Sequence, residues 1–358
     1  MEINLGNTDN GWPVILQPED AINSHLLCLG ASGCGKTVEA QRIMTEIVKQ
    51  GGTVLALSIH SSLTKDQIYH RYEEVFEHYG RHVYANDGIP CEMFTKESYQ
   101  DGNVETECDL IFAVVDVICR TYKLGDNDRI LLSIAVEDVV RNGLYQTNGF
   151  SAVGIQLQQR QERGAKRLYE RLKPMFVHNV FQGGTMIEQG KINIIHLDRL
   201  DVRTQQTAAE LILAYIWRRA NADAFKKHEL WLFLDECQDF ASGKQDALAL
   251  LISEGRKMGV NLILATQVML GGRSNAVEER IMQCGTRLLF KPSENCLLQT
   301  TKLIDHSEYK QWIPVLAKLQ SGEFIACGVK KVGSCTVDYP IKVSARNEPE
   351  QQQESNSL

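Results

Sequence analysis

His25-Leu26-Leu27-Cys28-Leu29-Gly30-Ala31-Ser32-Gly33-Cys34-Gly35-Lys36-Thr37 is the stretch from which the fold can be read. A compact apolar run ends in glycine, and a helical pattern follows from Thr37 to Lys49, with apolar residues at Val38, Ile43, Ile47 and Val48. Gly51-Gly52 stops that helix, and Thr53-Val54-Leu55-Ala56-Leu57-Ser58-Ile59 reads as a buried strand. Strand, turn, helix, glycine stop and strand form a βαβ unit, which implies a right-handed crossover and a parallel sheet.

Outward from this unit the rhythm changes. Upstream lie a short strand and turn, Glu2 to Gly6, and a second run, Gly11 to Leu16. Downstream, apolar spacing is mostly helical over Leu63 to Tyr79, Cys108 to Tyr122, Asp128 to Leu144 and Gln156 to Val177, with a short strand near His82-Val83-Tyr84-Ala85. Strands are then expected at Lys191 to Leu197, Leu230 to Leu234, Val260 to Ala265 and Arg287 to Phe290. Helices are expected at Thr204 to Ala222 and Gln245 to Met258. The expected organisation is an α/β core over 1–60 and 186–345, interrupted by a mostly helical insertion over 61–185. The tail 346–358 is rich in Gln, Glu, Ser and Asn, too polar to pack, and expected to be disordered.

Composition sets the outer limits. In 358 residues, 43% hydrophobic and 23% charged, there is apolar material for a large core, which excludes a disordered chain, a coiled coil and a small stapled scaffold. No run approaches the roughly 20 apolar residues of a membrane helix. The amino terminus lacks the basic and apolar regions of a secretory signal, so a cytoplasmic location is expected. The ten cysteines show no C-x-x-C pair and no zinc-finger spacing, and they read as scattered free thiols. A net charge of −7 argues against a surface that coats nucleic acid as a whole.

Gly30 to Thr37 fit the pattern G-x-x-x-x-G-K-[ST]. Glycines let the loop curl so that backbone N–H groups point at phosphates, and the helix N-terminus behind it favours negative charge. The loop residues Gly30, Ala31, Ser32, Gly33, Cys34 and Gly35 would cradle a triphosphate. Lys36 would bridge β- and γ-oxygens, and the Thr37 hydroxyl would hold Mg²⁺. A second strand, Leu230 to Leu234, delivers Asp235 and Glu236 at its C-terminal end, where open parallel sheets bind ligands. Taken alone, such acids are as readily solvated turn residues. Beside a phosphate loop, Asp235 reads as a Mg²⁺ ligand and Glu236 as the group that orients and deprotonates water. A third strand ends in Thr266-Gln267, where Gln267 can sense the γ-phosphate or the attacking water, or serve simply as a strand cap.

With Glu254-Gly255-Arg256-Lys257-Met258-Gly259 before the third strand, these pieces resemble the HerA/FtsK superfamily of ring-forming P-loop ATPases. Arg-Lys-x-Gly-Val, an apolar strand and Ala-Thr-Gln carry the likeness, with Leu5-Gly6, Pro13-Val14 and Ile192 to Leu200 in support. The resemblance covers most of 1–60 and 186–330, and no motif in the insertion. It implies a RecA-like core, a hexameric ring, ATP with Mg²⁺, and movement of double-stranded DNA through a pore. It also implies that Arg256 is an arginine finger for the neighbouring subunit, worth roughly 10³–10⁵ in rate. The alternative for Arg256 is a helix C-terminal cation that complements the dipole. No stretch of this sequence resembles the barrel domain of HerA helicases, the DNA-reading domains of FtsK translocases or the membrane anchor of coupling proteins, so a motor core with an insertion is expected.

DNA would have to meet local basic loops. Arg160, Arg163, Lys166, Arg167, Arg171 and Lys173 are one candidate, equally readable as a subunit contact or a solvated face. Arg273, after Gly271-Gly272, is another. Two other functions fit the same resemblance: a secretion, conjugation or genome-packaging ATPase, and a nucleotide-gated ring that controls a partner nuclease or effector in bacterial defence.

Overall fold

The computed structural model describes residues 1–99, 101–240, 246–267 and 280–345. The phosphate-loop strand β3 (Leu26–Leu29) is preceded by a hairpin, β1 (Ile3–Asn7) and β2 (Pro13–Leu16), and followed by helix α1 (Lys36–Lys49) and β4 (Thr53–Ser58). Helix α2 (Glu73–Tyr79) leads into β5 (Gly80–Tyr84). After the helical region come β8 (Ile192–His196), α8 (Val202–Asn221), β9 (Leu230–Leu234), α9 (Ala247–Glu254), β10 (Val260–Thr266) and β11 (Thr286–Phe290). The chain ends in β12 (Glu323–Cys327), β13 (Lys330–Val332), β14 (Cys335–Val337) and β15 (Ile341–Ser344).

Thirteen strands form one sheet in the order β14-β13-β2-β1-β15-β12-β11-β3-β10-β9-β4-β8-β5. From β11 to β5 every neighbour pair is parallel, as the βαβ reading required. From β12 outward the pairs are antiparallel. The central strands bury both faces, so alternate residues feed two cores. Leu26, Cys28, Val54, Ala56, Trp231, Phe233, Ile263 and Ala265 pack with α1 and α2 on one face. Leu27, Leu29, Leu55, Leu57, Leu232, Leu234, Leu262 and Leu264 enter a larger core on the other.

That larger core continues into the helical region: α3 (Glu107–Tyr122), α4 (Asp126–Arg141), α5 (Tyr145–Asn148), α6 (Ser151–Gln159) and α7 (Arg163–Val177). Two short strands, β6 (Ile89–Pro90) and β7 (Phe181–Gln182), pair in parallel beside it. A buried ion pair fastens the region to the core. Arg218 of α8 donates through Nε to Glu105 Oε1 at 2.7 Å and through Nη2 to Oε2 at 2.5 Å, and it also bonds the carbonyls of Met93 and Thr95.

Several expected elements differ. The strand near His82 is the parallel edge β5 of the main sheet, paired with β8, so the sheet extends into the span read as insertion. The helix expected over Leu63 to Tyr79 is two 3-10 turns, Lys65–Gln67 and His70–Tyr72, before α2. Buried Gln41 of α1 causes this: its amide donates to the Gln67 carbonyl at 3.1 Å and accepts from the Tyr69 N–H at 2.8 Å, occupying groups a helix would use. The helix expected over Gln156 to Val177 breaks after Gln159, and α6 packs back on α7 where an added Cβ on Gly154 would lie 2.7 Å from the Phe176 ring. The helix expected to end at Met258 ends at Glu254 and continues as a 3-10 turn, Gly255–Met258. All ten cysteines are free, seven of them buried. No helix among the described residues is long and apolar enough to cross a membrane. The tail 346–358 lies outside the described residues.

Candidate nucleotide site

Gly30 leaves β3 at a point where a side chain has no room: an added Cβ would lie 2.6 Å from Phe290 Cβ and 2.9 Å from Cys34 Sγ. The loop is fixed from both sides, because Gly30 N–H donates to the Thr266 carbonyl at 3.3 Å and Ala31 N–H to the Lys291 carbonyl at 2.9 Å. Ser32 and Gly33 are exposed, while Ala31 and Thr37 are half-buried. Gly35 caps α1 with φ +104°, a conformation that favours glycine. The Cys34 carbonyl accepts from Gly322 N–H at 2.9 Å, so the turn before β12 supports the loop. Burial raises the Cys34 thiol pKa, in keeping with a packing role. Lys36 is 6% exposed, and its Nζ donates to the Gly30 and Ala31 carbonyls, both at 2.9 Å.

The sheet register brings the other candidates to this level. Ala265 and Thr266 of β10 lie beside Cys28 and Leu29 of β3, and Leu264 lies beside Leu234 of β9. Asp235 is 5% exposed, and its carboxyl pKa is raised by burial and then by Glu236, with Lys36 opposing. Its Oδ1 accepts from the Glu236 N–H at 3.1 Å. Glu236 has φ +49°, a left-handed conformation that costs a non-glycine residue roughly 1–2 kcal/mol. Both of its carboxylate oxygens are occupied: Gln267 Nε2 donates to Oε1, and Gln238 Nε2 donates to Oε2 at 2.8 Å. Gln238 Oε1 in turn accepts from Thr266 Oγ1 at 2.6 Å. Lys36, Asp235, Glu236 and Gln267 thus form one cluster. Gln238 is the member that sequence reasoning missed, because the 3-10 turn Cys237–Phe240 brings it back to the acid two positions before it.

This donor set fits a magnesium–triphosphate. Asp235 and Glu236, buried near Lys36 at the end of β9, are the acids that could hold a divalent cation against a triphosphate there. Among the described residues no group of three or more His, Cys, Asp or Glu forms a rival metal site.

Arg256 stands elsewhere. It lies on the exposed 3-10 turn before β10, and Nη1 donates to the carbonyl of Ile22 in the loop before β3. The seven residues of β10, at about 3.3 Å each, separate that turn from Thr266 by roughly 20 Å. Arg256 therefore cannot reach the phosphate loop of its own chain.

The basic cluster is largely engaged within the chain. Arg167 and Arg171 both pair with buried Asp128, at 2.6 and 3.1 Å, Arg160 pairs with Asp138 at 2.6 Å, and Lys173 with Glu170 at 3.5 Å. Arg160 also falls outside α7, between it and α6. Arg273 lies outside the described residues.

Comparison with known proteins agrees with this architecture. Residues 3–87 match the family model described as "Helicase HerA, central domain". No curated protein matches the sequence. Among solved structures, the chain is similar to VirB4 of Thermoanaerobacter pseudethanolicus, with a TM-score of 0.68 and 16% identity over 97% of this chain and 96% of that one. It is also similar to the bacterial conjugative coupling protein TrwB, with a TM-score of 0.55 and 15% identity over 95% and 88%. TrwB in complex with ADP and Mg²⁺ matches with a TM-score of 0.52 and 16% identity over 91% and 87%.

Proposed function

Taking as premise that the chain has the fold of the HerA/FtsK-type P-loop ATPases, we propose that it is a Mg²⁺-dependent ATPase that works as a ring, hexameric by family resemblance, and translocates or remodels double-stranded DNA. One observation supports this reading: Lys36, Asp235, Glu236 and Gln267 cluster at one end of the parallel strands, while Arg256 sits at the other end, out of reach of that cluster.

In the proposed reaction Lys36 leaves the Gly30 and Ala31 carbonyls for the triphosphate, and the loop N–H groups hold its oxygens. Thr37 and Asp235 would hold Mg²⁺, which would supply charge neutralisation when bound. Glu236 accepts the proton of the attacking water, and Gln267 and Gln238 fix the carboxylate in place for that task. Arg256 of an adjoining copy stabilises the transferring phosphoryl group. An isolated subunit is accordingly a poor ATPase.

The test is ATP turnover and particle mass with and without duplex DNA at low salt. Assembly with ATP and faster turnover with DNA are expected, and indifference of both to DNA overturns the DNA reading. A second reading, a conjugation- or secretion-type motor, is favoured by the fold likeness to VirB4 and TrwB, which spans the helical region as well as the core. ATP-driven assembly without DNA stimulation would select it.

A further inference from the structure

Beside the phosphate loop lies a cleft of about 250 Å³, lined by Val38 and Glu39 of α1, Tyr69, Arg71 and Tyr72 of the segment after β4, and the Ser321-Gly322 turn. Its walls are unusual for a solvent-facing cleft. Tyr69 and Val38, both large and apolar, are 41% and 36% exposed, and Arg71 is exposed beside them. With phosphates held by the loop itself, as the nucleotide reading has them, this space would face whatever hangs from them.

The Tyr69 wall is also held in place. Gln41, fully buried on α1, grips the backbone at Gln67 and Tyr69, so the aromatic wall is tied to the helix that bears Lys36 and Thr37. The opposite wall, Gly322, is bonded to the phosphate loop at Cys34. Both walls thus move with the phosphate site.

We propose that this cleft takes the purine base of the nucleoside triphosphate, with the base lying against Tyr69 and Val38 and Arg71 at its edge. The chemistry matches: an aromatic ring and an aliphatic face stack on the flat π-surface of a base, and a guanidinium adds a planar, cationic contact. The proposal rests on the nucleotide reading above and assigns the base-binding residues within it.

The test compares two probes on the full chain with Mg²⁺, ATP and inorganic tripolyphosphate, which lacks base and sugar. Tyr69→Ala should weaken ATP binding roughly tenfold to a hundredfold and leave tripolyphosphate binding unchanged. Tyr69→Trp should keep ATP affinity. Ser321→Trp, which fills the cleft from the exposed turn, should block ATP and spare tripolyphosphate, and it decides the matter should Tyr69→Ala fail to fold. Unchanged ATP affinity in Tyr69→Ala and Ser321→Trp, with binding lost in Lys36→Ala, overturns the base site and leaves the phosphate site standing. An equal fall for both probes also overturns it, because Tyr69 would then act through its turn. If the unaltered chain binds neither probe, the nucleotide reading fails and this proposal with it.

Discussion

Replacing Arg218 by methionine should loosen the helical region from the sheet. The side chains of Arg218 and Glu105 are 7% and 4% exposed, and the guanidinium makes four hydrogen bonds, two to the carboxylate and two to carbonyls of the segment that leads into α3. Methionine fills much of the volume but leaves the buried Glu105 carboxyl without its cationic partner, with the Glu97 N–H at 3.2 Å still donating to it. Breaking a buried pair from one side costs about 3–5 kcal/mol, against a total stability of about 5–15 kcal/mol. For a chain of this size that corresponds to a fall of roughly 4–7 °C in Tm. The double variant Arg218→Met/Glu105→Leu removes both charges and should recover most of the loss, since a buried ion pair is worth little more than a well-packed apolar pair. Urea unfolding followed by circular dichroism reads both. A single variant costing under about 1 kcal/mol, or a double variant no better than the single, refutes the reasoning.

Three further outcomes are expected. Glu236→Gln should bind ATP as the parent does and lose at least about 100-fold in turnover, measured as phosphate release at saturating ATP; undiminished turnover removes Glu236 as the base. Arg256→Ala should lower turnover by roughly 10³-fold or more only in assembled particles, and mixing it with Lys36→Ala should restore part of the activity, because each supplies what the other lacks. Glu210 has its pKa raised to about 7 by burial, with Arg120 opposing and Asp246 adding to the rise. An acid that binds its proton more tightly when folded is most stabilising below the unfolded value near 4.5, and that stability is lost as pH rises through 7. Glu210→Gln should therefore gain about 1 kcal/mol or more at pH 8 and match the parent at pH 4.5, and a gain independent of pH contradicts this.

The central βαβ unit, β9 and β10 were legible because each is a short apolar run bounded by glycine or by paired polar residues, and burial on both faces leaves such strands little else to be. The phosphate loop and the acid pair were legible for the same reason, since spacing along one strand end is a property of sequence. Gln238 was not, because its contact with Glu236 depends on how a 3-10 turn folds back. The break at residues 65–72 was hidden in the side chain of Gln41, more than twenty positions away. The C-terminal strands escaped because they are three to five residues long, too short for a period of two to declare itself. The basic run at 160–173 shows another limit: its charge is visible in sequence, but the pairing of Arg160 with Asp138 and of Arg167 and Arg171 with Asp128 is not.

The order in which the sheet is stitched has a consequence for biosynthesis. β12 and β15, near the carboxyl end, lie between β11 and the amino-terminal hairpin, and the turn before β12 is what steadies Cys34. A ribosome releases the phosphate loop before its brace, so the nascent polypeptide carries a half-built sheet with β1 and β2 unanchored until β12 and β15 emerge. Ligand affinity is thereby deferred until the final strands emerge, and a chain stalled before residue 321 should neither retain nucleotide nor resist protease at its first thirty residues.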